Sequence, residues 1–134
     1  MNGGIVIKRN ASQRYITDGQ SEAVMRMICM QSQVPFQSFV NRSDLRGGGT
    51  QGSSLQASLP IMGADIGLAR LAMHSTFETA GCYDVDYLVK ALTYFYSKTI
   101  VVNDNKIEII WKKQITDCFQ AWTLMQEDNW EDDL

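Results

Sequence analysis

His74 is the only histidine in the chain and sits in Ala72-Met73-His74-Ser75. Upstream lies a polar, glycine-rich run, Asn41-Arg42-Ser43-Asp44-Leu45-Arg46-Gly47-Gly48-Gly49-Thr50. An imidazole titrates near neutral pH and binds metals through either ring nitrogen, so His74 suits a metal ligand or a proton-transfer group. A structural histidine with its hydrogen bonds satisfied suits the position equally well. Three consecutive glycines permit positive φ and close backbone approach, so amides there can face an anion or a peptide main chain. A plain flexible turn is the simpler reading. The run has neither the GxxxxGK[ST] order of a phosphate loop nor the GxGxxG order of a dinucleotide site. His74 and Glu78 stand four apart, as neighbours at a helix start would, but no second histidine completes an HExxH zinc motif.

The elements that must position these groups are legible from periodicity. Gly4-Ile5-Val6-Ile7-Lys8 is β-branched and reads as a buried strand. Thr17-Asp18-Gly19-Gln20 has capping-box spacing and opens a helix over about 18–32, with Val24, Met27 and Ile28 on one face. Pro35 closes that connection, and Phe36–Val40 alternates as a second strand. A short helix is expected over about 53–58. Residues 61–66 read as a third strand that leads to His74, where strand ends of α/β proteins gather ligands. The clearest helix covers about 83–97. Its apolar repeat, Val85, Leu88, Val89, Leu92, Phe95 and Tyr96, is expected to face the core, with Asp84 and Asp86 favoured by the dipole of the first turn. Strands 100–102 and 107–111 flank Asn103-Asp104-Asn105 as a hairpin. A last amphipathic segment carries Trp111, Ile115, Phe119, Trp122 and Met125. The order points to an α/β fold, a layered sheet flanked by helices.

With 134 residues, 45% hydrophobic and 20% charged, the chain has the size and balance of one globular domain. It has no apolar run of membrane-spanning length and no signal-peptide pattern. Cysteines 29, 82 and 118 are odd in number and form no CxxC pair, which fits a reducing cytoplasm. Five of the 15 acidic residues crowd into 127–133. Twelve basic and ten acidic residues leave 1–126 at only +2. No basic stripe exists for a phosphate backbone, so nucleic acid is not an expected partner.

Several stretches together resemble the aspartyl aminopeptidase family. They are Gly4–Lys8, Asn10-Ala11 through Gln13-Arg14-Tyr15, Thr17-Asp18, Asn41–Asp44 with Gly47–Thr50, Asp65-Ile66-Gly67, Leu71–Ser75 and Glu78–Gly81. They follow the family's order over about residues 3–98. Members remove N-terminal residues, often acidic, from peptides with two bridged zinc ions in an α/β catalytic domain, and they assemble into hollow dodecamers. The resemblance implies that His74 is the last zinc ligand. It implies that Asp44, Gly48, Gly49 and Thr50 belong to the loop beside the substrate pocket. It places Lys8 and Arg14 near the pocket or a subunit contact, where either offers positive charge to an acidic substrate side chain.

The sequence departs from the family pattern before the glycines, where a proline is expected, at Gly49 for serine and at Gln51 for leucine. The family's earlier histidine, bridging aspartate, Glu-Glu pair and further aspartate all precede the matching region. The chain is therefore expected to be the carboxy-terminal part of such a domain over 1–98, with a hairpin, helix and acidic tail added over 99–134. It is expected to have little or no activity alone, because one imidazole supplies neither the roughly three ligands of a catalytic zinc nor a general base. The other reading is a non-catalytic assembly or binding module of the same origin. A sheet lacking its neighbours exposes an edge and an apolar face, so a homo-oligomer is expected.

Overall fold

A computed structural model describes residues 1–42, 44–45, 47–103 and 106–111. It divides into two compact units, Met1–Tyr96 and Ser97–Leu134. The first unit is built on the strand β1 (Ile5–Arg9), whose Ile5 and Ile7 are fully buried. Each such side chain contributes about 1.5–3 kcal/mol through the apolar surface it removes from water. β1 pairs in parallel with β2 (Phe36–Val40), Ile5 opposite Phe36 and Arg9 opposite Val40. On its other side it pairs antiparallel with β3 (Ile66–Gly67), so β1 is the centre of a three-stranded sheet.

The helix α1 (Gly19–Gln31) brings Val24, Met25, Ile28 and Cys29 into the core, while Met27 is half-buried. Its capping box lies one residue beyond the expected Thr17 and Gln20. Asp18 Oδ1 accepts from the Ser21 amide at 2.8 Å, and the Asp18 amide donates to Ser21 Oγ at 2.9 Å. Thr17 is drawn away because its Oγ1 accepts from the Asp65 amide at 2.7 Å. Glu22 ties α1 to the sheet: buried, it pairs with Arg9 at 3.0 Å and with Arg26 at 2.7 Å. Arg26 in turn lies over the Phe36 ring and donates to Ser38 Oγ at 3.1 Å.

The helix α2 (Gln51–Ser58) starts two residues before the expected one and buries nothing. The third strand is shorter than expected. Residues 61–65 lie outside the strand: the Asp65 carbonyl still accepts from the Lys8 amide of β1 at 2.9 Å, but its own amide donates to Thr17 Oγ1 instead of to the sheet. A two-residue hairpin pair, β4 (Arg70–Leu71) and β5 (Thr79–Ala80), was not visible in the periodicity.

The helix α3 (Cys82–Tyr96) has the expected bounds within one residue, but its inward face is shifted: Leu88, Leu92 and Phe95 of the expected stripe are half-buried, while Val85, Val89 and Tyr96 are exposed. Asp84 and Ala91 are fully buried, whereas Val85 and Val89 are 50% and 60% exposed. The cause is polar. The Asp84 carboxylate accepts the main-chain amides of Asn2 at 2.7 Å and Gly4 at 2.9 Å, and Tyr94 donates to Gln31 Oε1 at 2.9 Å. Gly4 has φ +89°, and a Cβ there would lie 1.8 Å from the Pro35 carbonyl oxygen, so glycine is required.

The second unit contains a hairpin of β6 (Lys98–Asn103) and β7 (Lys106–Trp111), with Asn103 opposite Lys106. The expected last amphipathic segment beyond Trp111, Cys118 and the acidic tail lie outside the described residues. The chain is thus a mixed α/β protein. No helix among the described residues is long and apolar enough to cross a membrane.

Candidate functional site

Asp65 organises the polar loops of the first unit. Its Oδ2 accepts from the Ile16 amide at 2.8 Å and from Thr50 Oγ1 at 2.7 Å. Its main-chain oxygen accepts from the Lys8 amide at 2.9 Å, and its own amide donates to Thr17 Oγ1. One residue therefore joins β1, the segment before α1 and the glycine loop. Arg14 adds two further ties: its carbonyl accepts from the Thr50 amide at 3.1 Å, and its Nη1 donates to the Gly47 carbonyl at 3.0 Å. Lys8 Nζ lies 5.8 Å from the Tyr15 ring centre. Of the expected residues, Thr50 binds the Asp65 carboxylate, Lys8 binds the Asp65 carbonyl through its amide, and Arg14 is tied to Thr50 and Gly47, with Gly49 beside it.

The loop can accept the serine expected at Gly49. A Cβ there meets the Arg14 carbonyl oxygen at 3.4 Å, an ordinary contact. Gly48 faces open space. Asn41 Nδ2 is buried beside Gly47 with no hydrogen-bond partner among the described residues. A buried donor left unsatisfied costs free energy until an acceptor is supplied, so this amide is a candidate contact for a peptide oxygen. Asp44 stands apart from the cluster, paired with Arg42 at 2.6 Å on an exposed stretch.

His74 is held by a second, separate arrangement. Ala72 and His74 both take left-handed φ, +53° and +69°, which shapes a tight turn between β4 and β5. Left-handed backbone costs a non-glycine residue about 1–2 kcal/mol, so neighbours must hold it. Glu78 does so with both oxygens: Oε1 accepts from the His74 amide at 2.8 Å, and Oε2 pairs with Arg70 Nη1 at 3.1 Å. Glu78 therefore acts across a turn and a hairpin, where the spacing had suggested a helix start. Gly67, Leu68, Arg70, Glu78, Ala80 and Leu88 line an open groove of about 420 Å³ beside this turn.

The His74 side chain is exposed. Among the described residues, no group of three His, Cys, Asp or Glu side chains is placed to hold a metal ion. A single imidazole fits one zinc position, but this donor set does not fit a whole zinc site, which takes about three or four protein ligands. Asp65 escaped residue patterning and Glu78 was read only as a helix-start neighbour of His74, although both lie in the motifs that carry the family resemblance. For Asp65 the available signal was a lone carboxylate inside an apolar run, which must find partners once packed.

The chain matches the family described as Aminopeptidase I zinc metalloprotease (M18) over residues 1–96. It is 48% identical over 97 residues to the "Probable M18 family aminopeptidase 2" of Ectopseudomonas mendocina, covering 72% of this chain and 23% of that relative. The protein of the same name from Azotobacter vinelandii is 45% identical over 101 residues, covering 75% of this chain and 24% of the relative. The chain thus spans about a quarter of the length of the curated relatives it matches. Among solved structures, it is similar to one chain of the Ape4 and Nbr1 complex, with TM-score 0.69, 25% identity and coverage of 91% of this chain and 28% of that one. Yeast aminopeptidase 1 matches with TM-score 0.61 and 27% identity, over 71% of this chain and 20% of its own. The same linked motifs that hold the Asp65 cluster and the His74 turn fall within the matched region, and this chain belongs to the Aminopeptidase I zinc metalloprotease (M18) family.

Proposed function

We propose that this chain is the carboxy-terminal part of a zinc aminopeptidase catalytic domain and has little or no activity alone. The observation that carries this reading is the match of residues 1–96 to the M18 family within only 23% of a relative's length. In the completed domain His74 supplies one zinc ligand, set by Glu78. Zinc there would supply Lewis acidity toward a peptide carbonyl. Gly48, Gly49 and Thr50 border the substrate, Asp44 sits at the outer end of that loop, and Lys8 or Arg14 attracts an acidic side chain. The domain would be a layered sheet flanked by helices. Its boundary falls near residue 98, with the hairpin, helix and acidic tail of 99–134 as an extension. A reducing cytoplasm suits the free thiols of Cys29 and Cys82.

The test is complementation. The chain is mixed with the part of the Ectopseudomonas mendocina relative that lies outside the match, and hydrolysis of an N-terminal aspartyl peptide is measured. Activity only in the mixture, lost with His74→Ala, is the expected result. Stable association without hydrolysis would favour the second reading, a non-catalytic assembly module. The exposed Val85 and Val89 of α3 favour that reading, because unpaired apolar surface also drives self-association.

A further inference from the structure

The hairpin of the second unit has two unlike faces. Directly opposed residues of an antiparallel pair point to the same side, and the side alternates along each strand. The register therefore puts Lys98 with Trp111, Ile100 with Ile109, and Val102 with Ile107 on one face. Five of these side chains are apolar, and the cation among them, Lys98, lies over the Trp111 ring. The other face mixes Val101 and Ile110 with Thr99, Asn103 and the ion pair of Lys106 and Glu108. A two-stranded hairpin is marginal in water unless its apolar face packs against something. Val102 is still 47% exposed, and β6 and β7 are the only elements among the described residues of this unit.

The chain leaves this hairpin at its open end, where Trp111 pairs with Lys98, and the turn lies at the other end. A following segment covers the apolar face by turning back along it. The sequence there has the matching pattern. Lys112-Lys113-Gln114 is a polar link, and Ile115, Phe119, Trp122 and Met125 then recur at helical spacing. Asp117 falls on the opposite side of that spacing, the acidic run begins at Glu127 after the stripe has ended, and no glycine or proline interrupts 97–134. Ten residue steps of helix from Ile115 to Met125 rise about 15 Å. The four steps of strand from Ile107 to Trp111 span about 14 Å. Stripe and face therefore agree in length as well as in chemistry.

We infer that segment 115–125 of this same chain packs as an amphipathic helix on the face formed by Ile100, Val102, Ile107 and Ile109, so that 97–134 is a ββα unit with a small core of its own. The family match ends at residue 96, so this closure is independent of the catalytic reading. The tether selects this occupant over a second copy. Lys112-Lys113-Gln114 is a link of three residues, and a short link holds its two ends at an effective concentration of about millimolar. A separate molecule competes only when the protein itself reaches that concentration.

The test is methyl NMR on the full chain. In a uniformly labelled sample, the Phe119 and Trp122 rings are expected to show nuclear Overhauser contacts to the methyls of Ile100, Val102, Ile107 and Ile109. The same contacts should be absent between labelled and unlabelled molecules in a mixed sample. Phe119→Ser with Trp122→Ser should remove the ring-current shifts from those methyls and speed amide exchange in the hairpin about tenfold or more. Phe119→Leu keeps the stripe apolar and should leave the Trp122 contacts in place, which decides the matter if the double variant unfolds the hairpin.

Contacts between labelled and unlabelled molecules would make a second copy the occupant and overturn the inference. So would contacts from the four methyls to residues 1–96 in place of the two rings, or methyl shifts unchanged in the double variant. Peptidase activity on complementation can be gained or lost without altering any of these results, so failure of the catalytic reading and failure of this closure are told apart.

Discussion

The loops around Asp65 and the turn around His74 lie in one compact unit, yet they are held in opposite ways. Asp65 spends its carboxylate, amide and carbonyl on three different segments, reaching as far as Ile16, 49 positions away, and the glycine loop is one of them. His74 is held by Glu78, only four residues on, and by a strained turn closed on itself. Apolar residues around it stay outside: Phe77 is 88% exposed, and Leu71 and Met73 are exposed too. The loop is tied down from across the unit, with the Asn41 amide left unsatisfied among the described residues. The turn has only local support and uncovered apolar neighbours.

The contrast is broken most severely by Asp65→Ala. It orphans the Ile16 amide and the Thr50 hydroxyl and should cost about 3 kcal/mol, the upper range for losing a charged hydrogen-bond acceptor. Urea denaturation checks it, and a cost below that of a helix cap would mean the cluster does not organise the loops. Asp18→Ala, a loss of the α1 cap, should cost about 1 kcal/mol at neutral pH. The Ser21 amide, donating to the Asp18 carboxylate, holds it below the usual carboxylate range. Its contribution is therefore complete above the ordinary aspartate value and is lost as pH falls through the lowered folded one. The gap between wild type and Asp18→Ala should narrow in acid, and a gap that widens would contradict the cap geometry.

His74→Ala should change the stability of the lone chain by less than about 0.5 kcal/mol, as exposed substitutions do. A loss like that of Asp65→Ala would make the histidine structural and erase the difference between the two regions. The smallest perturbation separates two thiols. Cys82 is exposed, while burial encloses Cys29 and pushes its thiol up. A maleimide reagent should label Cys82 in the native chain and spare Cys29 until unfolding. Equal labelling, read by peptide mapping, would place the α1 core in exchange with solvent.

Much of this was legible in the order of residues. The β-branched run at 5–7, the alternation at 36–40 and the 3.6-residue repeat after Cys82 marked β1, β2 and α3, because each has a period that its neighbours do not share. The inward face of α3 was legible only in part. Its apolar stripe was right at the half-buried Leu88, Leu92 and Phe95, and a buried aspartate holding the amides of Asn2 and Gly4 turned Val85, Val89 and Tyr96 outward. The cap of α1 shifted by one residue for the same reason, since Thr17 is taken by Asp65. Hairpin β4–β5 was too short to show any period. Lys8, Arg14 and Thr50 were singled out through linked motifs, while the Asp65 contacts that tie Lys8 and Thr50 together are set by tertiary structure.

The most direct measurement is zinc retained after dialysis by the chain alone, by the chain with its complementing segment, and by each with His74→Ala. Essentially no zinc on the lone chain is expected, with retention in the mixture that falls when His74 is replaced. Tight zinc on the lone chain, lost in His74→Ala, would contradict the account: this chain would then own a complete metal site and would have to be assayed as an enzyme in its own right.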